Sequence, residues 1–304
     1  MRRRAFLGGL AAAIASASLP KGTVLVHEHI LVDFVGAKEV NRTRYNVDEV
    51  FRAALPKLKE IAARGCRRLQ ECTPNYLGRD PQLLLRLQEA SGVELWTNTG
   101  LYAAREFLFL PAYAKSERAE QLAKRFIEEA QEGVEGMKPR FIKIGVDRGP
   151  LPELSRKLVR AAAIASRETG LPIAAHTGDG VAAMEQLEII TGERCAASKF
   201  VWVHAQNERD PEVHAKAARA GAWVEFDGIS PQGLDYHLRC VRQMAERNLL
   251  GRTLISQDAG WYHVGEPGGG NFRGFSYLYT DFLPKLEAGW AERLLIENPR
   301  AAFG

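Results

Sequence analysis

From residue 23 to residue 257 the chain repeats one unit, a short β-favouring run followed by a longer stretch of helical periodicity. Eight β-rich runs are legible, at residues 23–26, 68–73, 93–97, 140–144, 172–176, 200–204, 223–226 and 253–257. Helical patterns lie between them, clearest at 47–64, 81–91, 116–133, 154–169, 181–192, 211–220 and 234–248. Asp80-Pro81 and Asp210-Pro211 read as helix starts, while Gly65, Gly170 and Gly221 fall where helices should stop. Such alternation implies a parallel sheet, because each helix returns the chain to begin the next strand in the same direction. At 304 residues and 46% apolar, the chain has material for one large barrel or two smaller domains. No proline- or serine-rich linker divides it, and no glycine-rich phosphate loop follows an early strand, as an open doubly wound sheet would require. The expected fold is α/β, a single-domain (β/α)8 TIM barrel over residues 21–304 with its chemistry at the C-terminal ends of the strands. The glycine cluster at 265–270 follows the last strand and is expected to form a loop over the mouth.

Polar residues sit where that fold would need them. His27, Lys143, His176, His204 and Asp258 each lie at or near the end of a different β-rich run. In His27-Glu28-His29 the strand period of two turns both imidazoles to one side, so one strand end can offer two ligands to one ion. Taken alone, the pair is a weak signal. Lys143 stands in the apolar run Phe141-Ile142-Lys143-Ile144-Gly145, where an ammonium would be stripped of water. Burial and neighbouring cations lower a lysine's pKa, and the neutral amine can take up carbon dioxide to become a carbamate, an anion with two oxygens. His176 and His204 end the apolar runs 173–176 and 201–204, completing a nitrogen-rich cluster suited to zinc or a similar ion. Asp258 adds a carboxylate that can both ligate and accept a proton. Of the other histidines, His214 and His237 are assigned to surface or packing roles, and His263 to the substrate mouth.

This ordered set resembles the metal-ligand pattern of the phosphotriesterase-like family of the amidohydrolase superfamily. The stretches Val26-His27-Glu28-His29-Ile30, Thr99-Gly100-Leu101-Tyr102, Ala175-His176-Thr177-Gly178, Asp258-Ala259-Gly260-Trp261-Tyr262 and Glu297-Asn298-Pro299-Arg300 carry the resemblance, which spans residues 23–304. It implies two divalent ions, zinc by preference. His27, His29 and Asp258 would bind the more buried ion and His176 and His204 the more exposed one, with carboxylated Lys143 and a hydroxide bridging them. It further implies cleavage of a small-molecule ester, lactone or organophosphate, with Tyr102 orienting substrate or simply packing, and a homodimer. Two departures stand out. Asn207 and Gly228 occupy the positions where organophosphate-hydrolysing members carry a proton-relay Asp and His, which argues against efficient phosphotriester hydrolysis. The loop Glu225-Phe226-Asp227-Gly228-Ile229 also lacks the arginine of acyl-homoserine lactonases, leaving Asp227 as a supporting group. The segment 286–295 is shorter than in most relatives, which puts the packing of the last helix in question.

Two rival readings remain open at this level. A mononuclear amidohydrolase would use the same histidines and Asp258 without needing Lys143. An exported metal-binding protein without turnover would keep the ligands and lack the relay.

Other classes are disfavoured. A net charge of +4, with Lys and Arg scattered among Glu, forms no patch for nucleic acid. Four cysteines without a C-x-x-C pair read as buried free thiols. Residues 1–20 have the charged, apolar, small-residue order of an export signal, and Arg3-Arg4-Ala5-Phe6-Leu7 resembles the twin-arginine motif. A periplasmic or extracellular destination follows from it, and a cytoplasmic one if the N-terminus is merely basic and helical. The apolar run is too short for a stable membrane anchor.

Overall fold

A computed structural model describes residues 20–304. The export signal expected over 1–20 therefore lies, apart from Pro20, outside the described residues. The chain runs β1 (Thr23–Val32), α1 (Val47–Ala63), β2 (Cys66–Glu71), α2 (Pro81–Ser91), β3 (Glu94–Trp96), β4 (Asn98–Thr99), α3 (Ala112–Ser116) and α4 (Ala119–Glu132). It continues through β5 (Phe141–Val146), α5 (Glu153–Thr169), β6 (Ile173–Thr177), α6 (Gly180–Gly192), β7 (Phe200–Val203), α7 (Pro211–Arg219), β8 (Trp223–Phe226), α8 (Leu234–Glu246), β9 (Thr253–Ile255) and β10 (Gly260–His263). All these strand pairings are parallel, in the orders β10-β1-β2-β3 and β4-β5-β6-β7-β8-β9.

The expected (β/α)8 barrel is the observed fold, with two of its eight staves broken. One stave is β3 and β4, interrupted at Thr97; the other is β9 and β10, interrupted at 256–259. Closure continues across both breaks: Arg140 N donates to Thr97 O (3.0 Å), and Asp258 N and His29 N donate to His27 O (3.1 Å) and Ala259 O (2.8 Å). Helix starts follow the expected chemistry, with Asp80 accepting from Leu83 N at 3.1 Å and Asp210 from Glu212 N at 2.9 Å. The helix expected at 116–133 runs from Ala119 to Glu132, starting late because Glu117 and Arg118 are extended and Gln121 then caps the Arg118 amide, and a separate short helix, α3, precedes it. The last unit also departs from one regular helix: wide π-type turns at Leu278–Phe282 and Arg293–Glu297 precede a short helix at Asn298–Phe303.

Alternation along each strand divides two cores. Val24, Phe141, Ala174, Val201, Val203 and Leu254 point inward and form the barrel's floor, closed by Phe303 against Phe141 at 6.1 Å between ring centroids. Leu25, Ile142, Ile173, Trp202 and Ile255 point outward under the helices. Two glycines let strands approach at the level of the polar cluster. A Cβ on Gly100 would strike the Lys143 backbone, and one on Gly260 the His29 carbonyl.

Candidate metal centre

Above the apolar floor, the inward positions turn polar and bring together all six sequence-predicted ligands. They line a cavity of about 80 Å³ together with Tyr102. Lys143 and His176 reach it by simple alternation, two residues beyond Phe141 and Ala174. The others need an irregularity. A register shift between Leu25 and Glu28 lets both Val26 and His27 face inward. His204 (φ 62°) and Asp258 (φ 47°) sit in the left-handed region, which re-aims each side chain at the end of its stave. Such backbone costs roughly 1–2 kcal/mol per non-glycine residue.

Surrounding groups fix the ring orientations. His27 Nδ1 meets Glu225 Oε1 at 2.9 Å and Asp227 Oδ2 at 3.2 Å. His29 Nδ1 meets Thr73 Oγ1 at 2.8 Å, and that hydroxyl is anchored on Glu71 and on Leu31 O. Asp227 takes His204 Nδ1 at 2.5 Å and also the His204 amide at 3.0 Å, holding its left-handed backbone. Carboxylate acceptors, and a hydroxyl already donating elsewhere, place the ring proton on Nδ1 in each neutral ring, so Nε2 presents its lone pair to the cavity. Glu28 points away from both histidines. Its oxygens accept from Ser256 Oγ, Gln257 N and Ala259 N, stitching the broken stave 256–259 to β1.

Electrostatics favour neutral imidazoles at His27, His29 and His176 facing an ionised carboxylate. Burial, then the charge of Lys143, lowers His27 to about 4. Burial lowers His29 too, and burial with the neighbouring His204 takes His176 well below the usual range. Burial opposes the charge on His204, but Asp227 outweighs it and raises that pKa. For Asp258, burial is outweighed by His27 and His29, which hold the carboxyl below its ordinary range. Burial raises Glu28 to about 8, and burial with the Asp227 charge pushes Glu225 well above the carboxylate range.

These residues fit a metal. His29 Nε2 and Asp258 Oδ1 are 3.2 Å apart without forming an aligned hydrogen bond, and this buried oxygen has no hydrogen-bond partner. His27 Nε2 lies 3.7 Å from the same oxygen. Lone pairs converging at that spacing repel unless a cation lies between them. Tetrahedral zinc with bonds of about 2.0–2.1 Å would put its ligand atoms roughly 3.3 Å apart. A second grouping, His27, His204 and Asp227, has its ligand atoms equally close. Its atoms are the Nδ1 and carboxylate atoms already joined at hydrogen-bond distance, so it orients ligands and leaves no room for an ion. Lys143 is 2% exposed, and His27 Nε2, at 3.3 Å, is the hydrogen-bond partner of its Nζ among the described residues.

Tyr102 packs on His176 at 5.1 Å and on Phe109 at 5.9 Å between ring centroids. Burial pushes its phenol up, so it stays a neutral donor facing the cavity. His263 stands behind the wall against Phe34 and Trp261, rather than lining the cavity as expected. Histidine 214 packs as expected, bonded to Ala205 O at 2.7 Å between Trp202 and Phe226. His237 does more than pack: its Nε2 contacts Asp227 O at 2.5 Å, bracing the residue that orients two ligands. Around Gly228 the space belongs to Gln206 and His237, and Asn207 is exposed. All four cysteines are buried and free. Sequence reading missed Thr73, Glu71, Glu225 and Glu28 as supports. Glu28 and Glu225 carried a signal, as charged residues within otherwise largely apolar strands, whereas Glu71 and Thr73 follow the polar run Arg67-Arg68 and carried none.

A larger cavity of about 210 Å³ shares the 74–78 segment as a wall, but contains none of the clustered ligands.

Residues 10–303 match the phosphotriesterase family. The phosphotriesterase homology protein of Escherichia coli is 27% identical over 296 residues, covering 93% of this chain and 98% of that protein. A crystal structure of that E. coli protein, complexed with phosphate in its active site, superposes with a TM-score of 0.81, covering 94% of this chain and 99% of the other at 26% identity. The aryldialkylphosphatase of Saccharolobus solfataricus is 30% identical over 220 residues, covering 71% of this chain and 68% of that enzyme. A phospho-furanose lactonase of Mycoplasmopsis synoviae is 24% identical over 308 residues, covering 90% and 85%.

Proposed function

This chain belongs to the phosphotriesterase family, and from that premise we propose that it is a metal-dependent hydrolase opening small lactones or carboxylic esters. The observation that carries the reading is the unpartnered Asp258 Oδ1 facing His29 Nε2 at 3.2 Å, with His27 Nε2 at 3.7 Å. His27, His29 and Asp258 would hold one divalent ion of zinc type, and His176 and His204 a second. Lys143, if its amine adds carbon dioxide with loss of a proton, would offer such ions an anionic carbamate oxygen pair. When bound, such ions supply Lewis acidity and a water acidic enough to attack near neutral pH. The buried Lys143 supports this over a mononuclear centre, which would leave its side chain among imidazoles with no carboxylate within 4 Å of it among the described residues.

The chain's own groups then have defined tasks. Asp258 is the ionised carboxylate able to take the attacking water's proton, since no relay extends beyond it. Asp227 keeps His27 and His204 in the ligating tautomer. Tyr102 offers an unionised O–H to the substrate or leaving group. Phe34, Leu77, Phe109 and Trp261 wall the cavity and exclude water. The cavity's small volume and the missing relay favour compact lactones and esters over bulky aryl dialkyl phosphates.

The test is turnover by purified protein reconstituted with zinc and bicarbonate. Lactone opening should exceed aryl dialkyl phosphate hydrolysis and disappear in Asp258→Ala. Bound metal with no turnover across esters and lactones would instead make this a metal-binding protein.

A further inference from the structure

Arg105 lies at the mouth of the ligand-lined cavity, three residues beyond Tyr102. Its guanidinium rests over the two wall rings, 5.1 Å from the centroid of Phe34 and 5.9 Å from that of Phe109. Ring contact stabilises a cation and leaves its N–H edge free. Neighbouring arginines are spent on carboxylates: Arg44 on Asp33, Arg79 on Glu129 and Arg125 on Glu117. Arg105 has no such partner within 4 Å among the described residues. The nearby acid is Asp147, and its two oxygens accept instead from the Arg105 amide (2.9 Å) and the Glu106 amide (3.2 Å).

The backbone that presents this side chain is strained. Arg105, Glu106 and Phe107 have φ of 59°, 56° and 63°, three consecutive left-handed residues with no glycine, asparagine or aspartate among them. At roughly 1–2 kcal/mol each, the turn is maintained against its local preference. Asp147 holds it, together with Leu108 N on Arg105 O at 3.2 Å and Leu110 N on Phe107 O at 3.0 Å. Asp147 directly follows β5, the strand that carries Lys143, so the turn is registered to the metal centre. Backbone strain maintained at a site mouth points to a use for the group it displays.

We propose that Arg105 is a specificity residue that receives an anionic group, carboxylate or phosphate, carried by the substrate itself. The inference rests on the hydrolase reading and narrows it to small lactones or esters bearing one negative charge. Arginine's planar fork matches either oxyanion with paired N–H bonds. The wall residues around it, Phe34, Leu77, Phe109 and Trp261, are apolar or aromatic and give such a charge no cationic partner.

A matched pair of lactones tests it: γ-carboxy-γ-butyrolactone against neutral γ-valerolactone, equal in ring and close in size. Wild type should prefer the charged lactone in kcat/KM. A charge-assisted contact predicts that Arg105→Ala lowers the charged-to-neutral ratio by about 10- to 100-fold, chiefly through KM. Arg105→Lys should retain part of the preference and Arg105→Glu reverse it. Equal use of both lactones by wild type, or a ratio unmoved by Arg105→Glu, would overturn the proposal while leaving the hydrolase reading intact. If neither lactone is opened, calorimetry with 2-hydroxyglutarate, the ring-opened diacid, decides the anion site alone, and the hydrolase reading is decided separately by the wider panel of esters and lactones. Weaker binding to Arg105→Glu than to wild type supports it; equal binding, or none to either, overturns it.

Discussion

His29 and His176 stand at opposite sides of one histidine cluster, and they are held in different ways. The Nδ1 of His29 is fixed by Thr73, itself pinned between Glu71 and a backbone carbonyl, and its neighbour His27 is held by two carboxylates. His176 makes no side-chain hydrogen bond among the described residues. It is positioned by the rings of His204, at 4.4 Å, and Tyr102, at 5.1 Å. Ligands oriented by hydrogen bonds lose less entropy on binding an ion and keep the right tautomer. The difference teaches that the two proposed metal positions are unequal. The His27-His29-Asp258 side is preorganised throughout, whereas on the other side Asp227 holds His204 and ring contacts alone place His176.

The inequality can be broken stepwise. Asp258→Ala should cost most, about a thousandfold or more in kcat/KM with loss of the tight ion, because it removes the one carboxylate facing both imidazoles. Asp227→Asn comes next: it disturbs His27 and His204 together, so about 100-fold in metal affinity is expected by chelator competition, with both positions weakened. Thr73→Val touches only His29, and about a tenfold loss confined to the tight ion is expected. Gln206→Ala removes a 2.8 Å bond to Asp227 and should cost only about two- to threefold. A Thr73 variant that loosened the His176 side as much as the His29 side would erase the distinction.

How much of this was legible in sequence depends on backbone regularity. Lys143 and His176 follow strand alternation, so their apolar neighbours announced which way they face. His27 faces inward only through the β-bulge before it, and His204 and Asp258 through left-handed backbone, none of which a period-two reading contains. Their residue types and order along the chain identified them nonetheless. The supports were harder because Glu225 lies 198 residues from His27 and Thr73 lies 44 from His29, so only the closed barrel pairs them. Arg105 was invisible for a related reason: nothing in Ala-Arg-Glu-Phe signals three left-handed residues, which Asp147 holds from 42 residues away. The final unit, whose last helix the sequence left in question, forms wide turns that drop Phe303 into the barrel floor.

The most direct test is divalent metal content per chain for wild type and for Lys143→Ala, each followed through graded chelation. Wild type should carry about two ions that leave in two separate steps, and the variant should retain about one, held on the His27-His29-Asp258 side. A wild type that holds one ion or none after addition of zinc and bicarbonate, with no change in the variant, would contradict the two-position centre.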